Sequence, residues 1–190
     1  AFAGRFLDAL APFIYPRTFF ENPIEEISRI KARIESHSDN RNIKLRAGGI
    51  RDIEFIVQAL QLVNGGKKSS LRNTNTLESI RLLSSASLLL ATEAEHLREA
   101  YVFFRTLEHM LQILEYAQTH SLPTKRHSRD ALAVRMAVPP KAFDKTLNRH
   151  LKNVRRIFDT VFTQRGADHP SDVERFLAEK ADSEFSLLFA

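Results

Sequence analysis

The stretch Gly48-Gly49-Ile50-Arg51-Asp52-Ile53-Glu54-Phe55-Ile56-Val57-Gln58-Ala59-Leu60-Gln61-Leu62 decides how the rest of the chain is read. Two glycines open it, no proline interrupts it, and Asn64-Gly65-Gly66 supplies a C-terminal stop. A helix from about Ile50 to Val63 is apolar around most of its circumference, so it is predicted to be largely buried. The exceptions, Arg51, Glu54, Gln58 and Gln61, fall on one stripe at 3.6 residues per turn. A buried Arg or Glu is costly unless paired and hydrogen-bonded, so this stripe must meet a polar helix face or a ligand.

Other helices are needed to surround such an element, and the flanking sequence provides them. Phe2, Phe6, Leu10, Phe13 and Ile14 recur at helical steps until Pro16. After Asn22-Pro23, a cap with proline at the first helical position, Ile24, Ile27, Ile30 and Ile34 define an inner face. That places Glu25, Glu26, Lys31 and Arg33 outside. His37 to Arg41 reads as a loop, followed by an irregular or short extended stretch through Lys44 and Leu45.

Beyond the apolar helix, Lys67 to Asn73 reads as a mobile basic loop and Thr76 to Ser84 as a short helix. Thr92 to about Gln118 is the longest helix, with Leu97, Tyr101, Phe104, Leu107, Leu111 and Leu114 inward. Arg129 to Met136 and Lys141 to about Gln164 follow, separated by Pro139-Pro140. The last of these turns Phe143, Leu147, Leu151, Val154, Phe158, Val161 and Phe162 to one side. No alternating stretch is long enough for a sheet, and no fixed repeat occurs. The expected fold is all-α, an antiparallel helical bundle over residues 1–165, with 166–190 a linker or the start of the following region.

Composition sets the outer bounds. A 190-residue chain with 43% hydrophobic and 27% charged residues can bury a sizeable core. No apolar run approaches the roughly 20 residues that cross a bilayer, and no signal peptide is visible. Cysteine is absent, which excludes disulfides and thiolate metal sites and suits a reducing cytoplasm. The expected setting is therefore cytoplasmic, with no membrane association. The net charge of +5 permits an anionic partner without identifying one. Ala1 stands inside a helical pattern where a native start would have Met, so the chain is read as a piece of a longer protein.

Three features compete for a functional reading. Arg105, Glu108, Gln112 and Glu115 form a second polar stripe, and Arg51 with Glu108 and Glu54 with Arg105 are the pairs that charge and period suggest. Such stripes either lock helix register or meet a ligand. Gly48-Gly49 at a helix start, with Lys44 and Arg46 before it and Arg51 inside it, either binds a phosphate or permits close packing. Lys141, Lys145, Arg149, Lys152 and Arg156 form a basic stripe. It is read as a solvated face rather than a nucleic-acid interface, since Asp144 and Asp159 interrupt it and no aromatic platform accompanies it. Asp52 and Glu54 diverge on a helix and make a poor metal clamp. The seven histidines show no ligand spacing, His109 and His120 reading as polar-face or loop residues.

The string Gly48-Gly49-Ile50-Arg51-Asp52-Ile53-Glu54-Phe55-Ile56-Val57-Gln58 resembles the signature of the bacterial glutamine synthetase adenylyltransferases. Pro12-Phe13-Ile14-Tyr15, Lys44-Leu45, Phe104 through Gln112, and Gln118-Thr119-His120-Ser121-Leu122-Pro123 fall in the same order, so the resemblance covers roughly Ala1 to Gln164. It implies a helical domain following a nucleotidyltransferase core in an enzyme that adds AMP to, and removes it from, glutamine synthetase. The Arg51 form and the Gln-Thr-His turn are similar to the deadenylylating half. The resemblance further implies Mg²⁺ and ATP or ADP in the full-length enzyme, and as partners glutamine synthetase, a PII signalling protein and the neighbouring nucleotidyltransferase domain, but no nucleic acid. The family's Gly-Ser-x-x-Asp-x-Asp carboxylates are not found in this sequence, so the chain alone is expected to be catalytically inert. Lys44, Gly48, Gly49, Arg51, Asp52 and Glu54 are the residues expected to complete a nucleotide site from outside, Arg51 meeting phosphoryl oxygens. Arg46-Ala47 departs from the family's usual loop, either adding a cation for phosphate or changing a turn. The equivalent domain of a PII uridylyltransferase and a non-catalytic docking module are the alternatives.

Overall fold

A computed structural model describes residues 2–16, 23–36, 39–115 and 120–164. Among these the chain is all-α. Its helices are α1 (Phe2–Ile14), α2 (Pro23–Ser36), α3 (Ile50–Gly65), α4 (Thr76–Ser85), α5 (Ala91–Glu115), α6 (Arg126–Arg135) and α7 (Pro140–Asp159). A short 3₁₀ turn, Ser69–Leu71, precedes α4, and a π turn, Thr160–Gln164, extends α7. The stretch 166–190 expected as a linker lies outside the described residues.

The apolar helix is the hub. α3 packs against α2, α4, α5 and α7, while α6 closes over α5 and α7. Ile50, Ile53, Ile56, Val57, Ala59 and Leu60 of α3 are buried together with Leu97, Phe104, Leu107 and Leu111 of α5. From α7 come Phe143, Leu147, Leu151, Val154, Ile157 and Phe158. Each large side chain so enclosed contributes about 1.5–3 kcal/mol over exposure, so this core supplies the main driving force. Leu114 is among residues whose side chains are not described.

Local chemistry fixes the helix ends. The Asn75 side chain accepts the Glu78 N–H at 3.0 Å to start α4, a cap worth about 1 kcal/mol. α4 and α6 stop on residues forced into the left-handed region, Ser87 (φ 59°) and Ala137 (φ 53°). There Leu88 N–H reaches back to the Leu83 carbonyl and Val138 N–H to the Ala133 carbonyl, both at 2.9 Å. α6 begins three residues before the expected Arg129.

Two expectations need correction. Lys31 is not on the outside of α2 but 2% exposed, whereas Ile30 is 45% exposed. The helix is rotated from its isoleucine face because Asp52 of α3 offers Lys31 a carboxylate at 2.5 Å. The Lys67–Asn73 segment is likewise pinned rather than a mobile loop. Gln61 Nε2 donates to the carbonyls of Leu71 (2.7 Å) and Asn73 (2.8 Å) and to Ser79 Oγ (3.0 Å). Leu71 plugs the core and Arg72 Nε holds the Gly65 carbonyl at 2.8 Å.

Candidate functional site at the start of α3

The segment before α3 is tied to the segment after α5 by a single antiparallel bridge, Asn42 to Ser121. Ile43 N–H donates to the His120 carbonyl at 2.9 Å, and Leu122 N–H to the Arg41 carbonyl at 3.0 Å. This brace delivers Lys44, Gly48 and Gly49 to one end of α3 and turns His120 toward α5.

A chain of alternating charges then runs along the α3–α5 seam. Arg105 Nη2 donates to Glu54 Oε1 at 2.8 Å and to the Tyr101 hydroxyl at 3.1 Å, while its Nη1 donates to Glu108 Oε2 at 2.7 Å. His120 Nδ1 lies 3.0 Å from Glu108 Oε1. Burial works against the Arg105 charge, but the hydrogen bonds to Glu108 and Tyr101 outweigh it and hold its pKa above the usual guanidinium value. Of the two pairs expected from charge and period, Glu54 with Arg105 forms. Arg51 with Glu108 does not: Glu108 takes Arg105 instead, with His120 beside its other oxygen. Arg51 instead stands 3.8 Å from Glu54 and over the Phe55 ring. Gln58, on the same stripe, is exposed.

Close packing explains the two glycines. A Cβ on Gly48, whose φ is +75°, would lie 2.1 Å from the Leu151 carbonyl oxygen of α7. One on Gly49 would lie 2.3 Å from the Ile43 carbonyl oxygen. The N–H groups that could have cradled a phosphate are engaged within the fold. Gly48 N–H donates to Asp52 Oδ2 at 2.7 Å. Those of Gly49, Ile50, Arg51 and Asp52 reach the carbonyls of Arg46, Ile43, Lys44 and Gly49 at 3.0–3.2 Å. An anion meeting this helix start would therefore be held by side chains, not by main-chain N–H groups.

Asp52, with no exposed surface, points into the protein. Besides Gly48 N–H it meets Lys31 Nζ, which also contacts Glu35 Oε1 (3.1 Å) and the Leu45 carbonyl (3.2 Å). Glu35 is shared with Arg155 of α7 at 2.7 Å, so the cluster fastens α2, α3 and α7 together. Burial raises the Asp52 pKa above the ordinary carboxylate value, opposed by Lys31 and the Gly48 hydrogen bond.

Of the six residues predicted for the site, the structure thus groups Gly48, Gly49 and Asp52 in the interior and Glu54 in the seam. Lys44 makes no ion pair among the described residues and Arg51 only the 3.8 Å pair with Glu54, and their main chains are joined by Arg51 N–H to the Lys44 carbonyl at 3.0 Å. Arg46 beside them is partly buried, and burial and the Arg129 charge lower its pKa. Its carbonyl accepts Gly49 N–H, so it shapes the turn. Among the described residues no group of three or more His, Asp or Glu side chains could hold a metal.

An all-α domain built round a buried charged helix, with a brace from the following turn, is the class of protein defined here. The family model described as GlnD PII-uridylyltransferase matches residues 18–162, from just before α2 to the π turn after α7. The chain belongs to that family, a nucleotidyltransferase family. The match extends over more than half of the chain, and α1 lies ahead of it. Among the described residues no helix is long and apolar enough to cross a membrane.

Proposed function

We propose that this chain is the helical domain accompanying the catalytic core of a uridylyltransferase that modifies a PII signalling protein. The observation that carries this reading is the family match running through every helix from α2 to α7. In this role the domain works as a scaffold: the Lys31–Asp52 cluster and the Glu54–Arg105–Glu108 seam hold the start of α3 rigid. Lys44, and Arg51 with its loose 3.8 Å pair to Glu54, would face the phosphates of a nucleoside triphosphate bound by the core. The core would supply the carboxylates and Mg²⁺.

A second reading rests on one specific feature. The string from Gly48 to Gln58 resembles the glutamine synthetase adenylyltransferases, and this favours ATP or ADP as nucleotide and glutamine synthetase as acceptor. The deciding experiment uses the protein that joins this domain to its nucleotidyltransferase core, incubated with radiolabelled UTP or ATP and either a PII protein or glutamine synthetase. Label from UTP on the PII protein supports the first reading, and label from ATP on glutamine synthetase supports the second. No transfer to either acceptor refutes both. In the active pairing, Arg51→Ala should lower turnover while leaving the circular dichroism spectrum unchanged; unaltered turnover removes Arg51 from the site.

A further inference from the structure

The outer face of α7 carries five cations that the fold leaves uncompensated. At about 100° per residue, Lys141, Lys145, Arg149, Lys152 and Arg156 fall within an arc of about 80°, over a length of about 22 Å. All five are exposed, and among the described residues none forms an ion pair. The two acidic residues that break the pattern in sequence are occupied on other cations. Asp144 pairs with Arg129 of α6, and Asp159 with Arg155 at 2.9 Å. Self-repulsion along such a stripe is relieved by an acidic surface of matching length.

A pocket of about 410 Å³ adjoins the stripe between α5 and α7, lined among others by Arg98, Val102, Phe103, Met136, Arg149 and His150. Arg149 belongs to both features. Val102, Phe103 and Met136 give the pocket one apolar side, facing a polar one that includes Glu99 and Thr106; Phe103 lies 4.9 Å, ring to ring, from His150, which is 5% exposed. Neither imidazole nitrogen of His150 has a hydrogen bond among the described residues, and burial, followed by the Arg149 charge, keeps its pKa below the usual value. Glu99 is the pocket's one carboxylate, and Arg98 beside it is paired with Glu95 at 2.6 Å. A cationic track leading to a pocket with one apolar side fits carboxylates followed by one hydrophobic side chain.

We propose that the α7 stripe and this socket form a docking site for an acidic protein segment carrying an apolar anchor residue. A nucleic acid would use the stripe but leave the socket empty, and no exposed aromatic along α7 offers a stacking platform. The site lies outside the cluster at the start of α3 and does not depend on which nucleotide the family's core uses.

The test is fluorescence anisotropy on the whole chain with a labelled synthetic peptide of alternating Asp and Glu around a central Leu-Phe. The same peptide with Ala-Ala at its centre and a single-stranded oligonucleotide of equal charge serve as comparisons, at low ionic strength to limit screening. The Leu-Phe peptide should bind most tightly. Lys145→Glu with Lys152→Glu should weaken it about tenfold or more, whereas Lys67→Glu with Lys68→Glu, equally exposed elsewhere, should change it less than about twofold. Val102→Glu should abolish the advantage of Leu-Phe over Ala-Ala. Equal binding by the stripe variant and the native chain would overturn the proposal. So would tighter binding of the oligonucleotide, or a Leu-Phe preference that survives Val102→Glu. Circular dichroism confirms that each variant is folded.

Discussion

Replacing Lys31 by Met should expose how the start of α3 is held. Lys31 is 2% exposed and Asp52 fully buried, with 2.5 Å between their charged atoms. Lys31→Met fills much the same space but leaves Asp52 with only the Gly48 N–H. Removing one partner of a buried pair typically costs about 3–5 kcal/mol, and that is the loss expected at neutral pH. Lys31→Met with Asp52→Asn removes the orphaned charge while an amide oxygen still accepts the Gly48 N–H. Its cost should fall to about 1–2 kcal/mol. Glu35 retains Arg155 in both variants.

The pH dependence has a definite sign. The folded pKa of Asp52 is raised, so its contribution is complete below the unfolded value and is lost as pH rises through the folded one. Without Lys31 the folded pKa climbs further. The penalty of Lys31→Met relative to the native chain should therefore shrink as pH falls from neutral toward the acid range, by at most about 1.4 kcal/mol per pH unit. Urea unfolding followed by far-UV circular dichroism, at several pH values, measures all three quantities. A neutral-pH cost below about 1 kcal/mol, or a double variant no more stable than the single one, would refute a buried, mutually dependent pair.

Gly48→Ala should destabilise by about 3 kcal/mol or more, because its Cβ meets the Leu151 carbonyl at 2.1 Å with φ at +75°; a urea midpoint close to native would contradict this packing. Ser87→Gly and Ala137→Gly should each raise stability by about 0.5–1 kcal/mol by relieving a left-handed backbone, read as a higher melting temperature. Arg105→Met leaves Glu54 with only Arg51 at 3.8 Å and the buried Glu108 with only His120 at 3.0 Å, and should cost about 2–3 kcal/mol, whereas Arg51→Ala, partly exposed, should cost less than about 1. His150 titrates below its ordinary value of 6.5 because it is buried beside Phe103 and Phe104, with Arg149, Glu99 and His96 also acting on it. Its contribution is present above that value and lost as pH falls through the depressed one, so His150→Leu should flatten the acid-side decline of the urea midpoint.

The sequence by itself determined the helices and the apolar faces of α3, α5 and α7, because hydrophobic periodicity and proline and glycine punctuation are local properties of the chain. It also yielded the Glu54–Arg105 pair, since two polar stripes on apolar helices must face each other to avoid unpaired burial. The Lys31–Asp52 contact was hidden. α2 alone shows isoleucines that argue for a different inward face, and only the approach of α3 makes burying a lysine worthwhile. The same holds for Gly48, where phosphate binding and close packing look alike in sequence. The choice depends on the Leu151 carbonyl arriving from α7 and on which acceptors claim the first N–H groups. Local pattern shows what a residue can do. Which of those possibilities is realised was decided by the tertiary fold, because the energy of a buried charge or of a missing side chain depends on neighbours brought in from distant sequence.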